Sequence, residues 1–311
     1  MMNKQIFLGH LTMDDIIYSN GETHMGALGG ATLYSAAGSC IWGDESYIIS
    51  VVGNSYNYEK LRDISSKSKI NIDYIHRVEN HGIDIWVLYD KNNDHYFIPK
   101  YYSGSFDEIV PTCSMIPENF LDIQNIFHIA PMPIKKQKDL VTYLKSHNCI
   151  VTLDPHQESC GLELLLEWEY IFESINIFFP SELEFRLLSG VDPRLHLNEI
   201  TRFARFYKIQ TIVLKMADKG AYMYLLDSNE LYHVPSIANK IVNYTGAGDA
   251  FAGGFVYSYI RNMDPVKSLG FATVSAAVVM ESISLQEVLG KGGNLLDNRL
   301  EECLKSINRV L

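Results

Sequence analysis

Positive charge is scarce in this chain. Lys and Arg number 26 against 37 Asp and Glu, a formal net charge of −11 over 311 residues. A surface of that sign argues against nucleic acid and against anionic membranes as partners, since both need a basic face. It leaves phosphate ligands open, because main-chain N–H groups can hold an anion locally. Cysteine is sparse and unpaired: Cys40, Cys113, Cys149, Cys160 and Cys303 form no C-x-x-C pair. An odd, scattered set reads as reduced thiols without a disulfide framework or a cysteine-rich zinc site, with Cys149 in an apolar run as core. The ten histidines show neither H-x-x-x-H nor H-E-x-x-H spacing, which speaks against a zinc enzyme. No apolar run approaches membrane-spanning length, and the apolar stretch between Met1 and Gly9 is too short for a signal peptide. The expected location is the cytoplasm. A Walker A loop, G-x-x-x-x-G-K-[ST], occurs nowhere.

What is present is a rhythm. Short β-branched and aromatic runs at Ile6–Leu8, Tyr47–Val52, Ile126–Ala130, Cys149–Leu153, Asn176–Phe179 and Thr211–Leu214 are continuous rather than alternating. Strands covered on both faces have this composition. Helical patterns lie between them at Leu33–Trp42, Lys135–Ser146, Leu183–Leu188 and Asn198–Tyr207. The alternation predicts an α/β fold with a doubly wound, mostly parallel sheet sandwiched by helices. Two excursions break it: Gly21–Gly29, and a hairpin over His81–Asp107 whose polar turn is Asp90–Asp94. The two are expected to pair as a small β lid. Linkers, repeats and low-complexity tracts are absent, so residues 1–311 read as a single domain, with lid segments at approximately 13–28 and 82–107. Trp86, Tyr96, Tyr101 and Tyr102 read as packing of that β layer.

Polar residues gather at the expected C-terminal strand ends, where open parallel sheets bind ligands. These are His10 and Asp14, Asp154, Ser181 and Glu184, and Lys215. His10 reads as a satisfied structural histidine, Asp154 as a helix cap before Pro155, and the Asp14–Asp15 pair as either substrate contact or solvated loop charge. The most specific string is Thr245-Gly246-Ala247-Gly248-Asp249, followed by Ala250-Phe251-Ala252-Gly253-Gly254. A lone G-x-G would be explained by a tight strand-to-helix turn, and the dinucleotide-binding version fails because position 251 is Phe. In the full string, side-chain-free N–H groups at Gly246, Ala247 and Gly248 precede a helix N-terminus suited to an anion. Asp249 makes sense there if a hydroxyl is deprotonated beneath an incoming phosphoryl group. Gly253 and Gly254 inside a helix cost roughly 1 kcal/mol each relative to Ala, which close packing on the sheet would offset.

This string resembles the C-terminal signature of the ribokinase family of carbohydrate kinases (PfkB type), D-T-x-G-A-G-D. The resemblance implies a ribokinase-like fold and an ATP-dependent phosphotransferase acting on a hydroxyl of a sugar or sugar-like molecule. It makes Asp249 the catalytic base and Gly246, Ala247 and Gly248 the anion hole. Asp14 at the first strand end, with the di-glycine Gly29-Gly30, would bind the acceptor. Lys215 and Gly220, within Lys215–Ala221, would line the nucleotide site. Pro180–Glu184 takes the place of N-x-x-E, so Glu184 would position Mg2+ through water. A homodimer through the lid is a further implication. Some residues depart from the pattern. Asn243-Tyr244 stands where the family often has Asp-Thr beside a monovalent cation, leaving cation dependence open. Ser181 replaces an Asn, Ala217 a nucleotide-loop Gly, and Tyr34 an Asn common in sugar kinases. A nucleoside or inositol kinase of the same fold, or a catalytically silent ligand-binding relative, are the alternatives.

Overall fold

A computed structural model describes residues 3–91, 95–291 and 294–311. In chain order the strands begin with β1 (Gln5–Leu8), β2 (Thr12–Ile17), β3 (Thr23–Gly29), β4 (Ser46–Val52) and β5 (Ile70–Arg77). Next come β6 (Ile83–Tyr89), β7 (His95–Pro99), β8 (Ile126–Ile129), β9 (Ile150–Leu153) and β10 (Ile177–Phe178). The last are β11 (Thr211–Lys215), β12 (Ala221–Leu225), β13 (Glu230–Val234) and β14 (Asn308–Arg309). The helices are α1 (Ala31–Cys40), α2 (Tyr58–Ser66), α3 (Ile134–Ser146), α4 (Leu165–Phe172) and α5 (Glu182–Ser189). They continue with α6 (Asn198–Phe206), α7 (Ala247–Asn262), α8 (Pro265–Met280), α9 (Leu285–Gly290) and α10 (Asn294–Ser306).

Ten strands form the main sheet in the order β14-β13-β12-β11-β10-β9-β8-β1-β4-β5. From β5 to β11 every neighbouring pair is parallel, and β12, β13 and β14 extend the sheet antiparallel. Alternate residues of a strand face opposite sides, and the core divides accordingly. Phe7 and Val213 pack with Leu33 of α1, Phe255 of α7 and Leu269 of α8. Ile6, Leu8, Ile212 and Leu214 pack with Leu140 of α3, Trp168 of α4, Phe185 of α5 and Ile200 of α6. Helices therefore cover both faces, as the continuous apolar strands require. Helix starts follow from local chemistry. The Asp264 carboxylate accepts from the N–H groups of Val266 and Lys267 with Pro265 opening α8, and Ser181 and Glu184 form a reciprocal capping box on α5.

Gly253 and Gly254 are explained by neighbouring helices rather than by the sheet. A Cβ at Gly253 would run into the Ser35 carbonyl of α1, and one at Gly254 into Ser275 and the Phe271 carbonyl of α8. Gly38 of α1 meets the Ala250 backbone in the same way. Small residues thus let α7 lie close against both flanking helices, which holds its N-terminus in place.

A second sheet of four strands has the order β3-β2-β6-β7. The hairpin β6–β7 is antiparallel as the pattern predicts; residues 92–94 of its turn lie outside the described residues. The two excursions do not pair with each other. β2 runs between them, antiparallel to β3 and parallel to β6. Its inner face packs Ile16 with Ala27, Val51, Ile83, Ile85, Val87, Tyr89 and Ile109. The expectation that the lid aromatics pack inside this layer fails for three of four. Tyr96, Tyr101 and Tyr102 are exposed, and Trp86 instead lies under the Lys100 ammonium, 4.7 Å from its ring centre. No helix among the described residues is long and apolar enough to cross a membrane.

Candidate active site

Asp14 lies inside β2, not in a solvated loop. It is 3% exposed, and its Oδ1 accepts from the Thr12 hydroxyl at 2.5 Å. Burial pushes its carboxyl up to about 7, against the pull of the Thr12 hydrogen bond and with a further push from Asp15. Gly29 lies on the neighbouring strand, where any side chain would overlap the Asp14 carboxylate. Gly30 has φ +102° and caps α1 against the His10 carbonyl, which leaves no space for a Cβ. The di-glycine therefore makes room for Asp14 and turns the chain into α1. Asp15 faces the other way, paired with Lys100 at 2.5 Å and accepting from the Gly26 N–H at 2.6 Å. His10 donates to the Phe106 carbonyl at 2.8 Å, and burial depresses it to about 4, so it is a neutral structural histidine.

The Thr245–Asp249 string forms a left-handed turn into α7. Gly246 is the N-cap residue at φ +79°, and a Cβ on it would strike the Tyr34 ring. The Ala247 N–H donates to the Tyr244 carbonyl at 3.2 Å and is thus engaged within the turn. The N–H groups of Gly248 and Asp249, in the first helical turn, have no intrahelical partner by helix geometry. Asp249 is half-buried. Burial pushes its carboxyl up to about 6, with the Lys215 charge pulling down and Glu184 pushing up. Tyr34 is buried between the two carboxylate sites. Its phenol is pushed up by burial first, then by the charges of Asp14 and Asp249 among others.

The sequence puts Asp154 at the strand-end edge, but its reading as a helix cap before Pro155 fails. No helix starts at Pro155; the next element is a short 3-10 turn over Gln157–Ser159. Instead Asp154 Oδ2 pairs with Lys215 Nζ at 2.5 Å, with Asp154 2% exposed. Burial pushes its carboxyl well up, and the Lys215 charge opposes that. Parallel strands on either side of β10 put both residues at one end of the sheet: Asp154 follows β9, Lys215 ends β11, and Ser181, just beyond β10, bridges to Lys215. An acidic residue immediately after a buried strand was the available signal. Lys215 Nζ lies 3.5 Å from where a Gly248 Cβ would sit, ordinary contact distance, so the ammonium lies beside the turn. The Glu184 carboxylate accepts from the Ser181 N–H at 2.6 Å, and its charge acts on Asp154, Lys215 and Asp249. Gly220, at φ +79°, has no space for a side chain against the Val234 carbonyl, while Ala217 sits at φ +46° where the pattern expects Gly.

Asp249, Gly246, Gly248, Lys215, Glu184 and Asp154 thus form one cluster, joined through Tyr34 to Asp14, Gly29 and Gly30. The described residues contain no group of three or more His, Cys, Asp or Glu that could hold a metal ion. An all-protein cage for a divalent ion is therefore absent among the described residues. Two cavities lie away from the carboxylates. One of about 30 Å³, lined by Tyr34, Lys60 and Asn243 among others, has room for little more than water. An open groove of about 590 Å³ along α3 includes none of these residues.

The chain aligns with a cytidine kinase of Thermococcus kodakarensis at 26% identity over 263 residues, 82% of this chain and 88% of that protein. It aligns with a nucleoside kinase of Methanocaldococcus jannaschii at 27% identity over 285 residues, 88% of this chain and 85% of that protein. Its fold matches Arabidopsis thaliana ribokinase, solved with ribose and ATP, at a TM-score of 0.75 and 16% identity, covering 97% of this chain and 99% of that one. Residues 4–290 match the family model described as pfkB family carbohydrate kinase, and the chain belongs to that family.

Proposed function

We propose that this protein transfers the γ-phosphoryl group of ATP to a hydroxyl of a sugar or sugar-like acceptor, with Asp249 as the base. The observation that supports this most is the position of Asp249. It is a half-buried carboxylate, held at about 6, in the first turn of α7, beside first-turn N–H groups and the Lys215 ammonium. A base near the working pH can accept a proton while remaining mostly ionised at pH 7.

In this mechanism Asp14 binds acceptor hydroxyls and orients one toward Asp249. That hydroxyl's oxygen forms the new bond to the γ-phosphorus as the bond to the β,γ-bridging oxygen breaks. Its proton passes to Asp249, and ADP leaves. The N–H groups of Gly248 and Asp249 and the Lys215 ammonium stabilise charge on the equatorial oxygens, where most of the catalytic effect of phosphoryl transfer arises. Asp154 holds Lys215 in place, and Gly220 keeps the nucleotide-side turn open. When bound, Mg2+ neutralises charge on the β- and γ-phosphates. The Ala247 N–H can join the anion hole only by giving up the Tyr244 carbonyl. The second sheet serves as the lid that excludes water from the acceptor. Asn243 carries no charge at the segment associated with a monovalent cation, and turnover is expected without potassium.

A nucleoside acceptor, phosphorylated on its sugar ring, is favoured over a free monosaccharide by one observation. Relatives that align over more than four-fifths of this chain include a cytidine kinase and a nucleoside kinase, at 26% and 27% identity, beside an ATP-dependent 6-phosphofructokinase at 25%. The test is ADP formation by the purified protein with ATP, Mg2+ and a panel of nucleosides, monosaccharides and polyols, each in potassium and in tetramethylammonium buffer. ADP release dependent on one acceptor class supports the reading. Acceptor binding in a thermal-shift screen of the same panel with no ADP would assign a silent binding relative.

A further inference from the structure

The catalytic turn lacks the usual means of fixing a helix start, since Gly246 offers no side-chain cap to α7. A buried hydrogen-bond bracket takes that place. Asn243 Oδ1 accepts from the Thr245 N–H at 2.9 Å, which settles which side of the amide faces the turn, because an N–H can only donate. The same oxygen accepts from the Tyr89 hydroxyl at 2.7 Å. The Tyr89 proton is then committed, so its oxygen accepts from the Thr245 hydroxyl, with which it is also in contact. The three residues are nearly inaccessible: Tyr89 8%, Asn243 5% and Thr245 5% exposed. Main-chain bonds from Val242 and Asn243 to the Met280 carbonyl, at 2.7 and 3.1 Å, anchor the other end of the segment to α8.

Tyr89 does not come from the main sheet. It is the last residue of β6 in the second sheet, and its ring stacks on Tyr18 at 5.3 Å, just beyond β2. β2 also carries Asp14, paired with Ile85 of β6. One pair of adjacent strands therefore holds both the acceptor carboxylate and, in Tyr89, a side chain that reaches the Asn243–Thr245 segment.

We infer that Tyr89 is a positioning residue for phosphoryl transfer: its hydroxyl, through Asn243 and Thr245, sets the shape of the Gly246–Asp249 turn from the sheet that binds the acceptor. This rests on the phosphotransferase reading above. Tyr89 acts on the N–H groups and on Asp249 through residue 245. Its contribution therefore falls on the chemical step, and the ground-state affinities are left nearly unchanged.

The experiment compares wild type, Tyr89→Phe, Thr245→Val, Thr245→Ser and the double variant Tyr89→Phe/Thr245→Val in steady-state kinetics. Amide hydrogen exchange of the peptide spanning 243–249 is followed in parallel. Removing one buried hydroxyl from the bracket leaves a partner unsatisfied, and Tyr89→Phe is expected to lower kcat about tenfold. The KM values for ATP and acceptor should stay nearly unchanged, and the 243–249 amides should exchange about tenfold faster. Thr245→Ser, which keeps the hydroxyl, retains kcat, and the double variant loses less than the product of the single losses. A folded Tyr89→Phe protein with wild-type kcat and wild-type exchange overturns the inference. So does a variant that only melts earlier while its folded fraction turns over normally. If wild type forms no ADP with any acceptor, the kinase reading fails by itself, and unchanged exchange in Tyr89→Phe would still remove the bracket.

Discussion

At the residue scale, the proposed chemistry rests on carboxylates whose environments differ. Asp249, pushed up by burial to about 6, is mostly ionised at pH 7. Below pH 6 its protonated fraction grows, so kcat should fall about tenfold per pH unit on the acid side. A pH–rate profile with an acid limb near 6 that disappears in a variant lacking this carboxyl checks it. Stability has the opposite sense. A carboxyl whose folded value is raised from 3.8 to about 6 contributes its full stability below about pH 3.8, and that is lost as pH rises through about 6. Asp249→Asn should therefore melt higher than wild type at pH 8, and the difference should vanish near pH 3.5 by differential scanning fluorimetry. Asp14→Ala is expected to raise the acceptor KM while the ATP KM stays put; an unchanged acceptor KM would remove Asp14 from the acceptor site. The sequence made Asp249, Asp14 and Lys215 legible because each lies in a recognisable string or at a strand end. Asp154 was not, because its role depends on an ammonium 61 positions away that only the sheet order brings beside it. Nor could a sequence show that Asp14 is buried under Gly29.

Among the elements, α7 matters most, because its N-terminus has to be in the right place. Gly253 sits against the Ser35 carbonyl of α1 with no room for a methyl group. Gly253→Ala should improve helix propensity yet destabilise the protein by about 1–3 kcal/mol, the usual penalty for forcing an extra group into a packed interior. Chemical denaturation measures it directly, and kcat should fall with it if α7 shifts. Strand legibility followed burial. β1, β4, β8, β9, β10 and β11, covered on both faces, show as continuous apolar runs. Within the lid segment at 13–28, β2 was not separated as a strand of its own because Asp14 and Asp15 interrupt its apolar residues. β5, β12, β13 and β14 lie toward the sheet margins, where the apolar runs thin out and the continuous-run signal fades. The Gly253 and Gly254 positions were legible as close packing, but the partners, two helices rather than the sheet, were not.

At the scale of the whole molecule, β7 is the end strand of the second sheet among the described residues. Tyr96, Phe97 and Ile98 of β7 are exposed at 55%, 56% and 45%. Successive residues point to opposite faces, so this strand shows apolar surface on both. We propose that two copies associate through it, and Phe97→Asp should shift the particle from dimer to monomer in light scattering without unfolding it. A wild-type protein that is monomeric at every concentration would contradict that. The family-level architecture was legible from strand–helix alternation, whereas the way the second sheet reaches the catalytic turn through Tyr89 was not.

The central claim is that Asp249 is the base of an ATP-dependent phosphoryl transfer. The most direct measurement is ADP and phosphorylated-acceptor formation by Asp249→Asn beside wild type, with ATP binding followed by calorimetry in both. ATP affinity should stay close to wild type while kcat falls by about 10²–10⁴. Near-normal turnover by Asp249→Asn would contradict it.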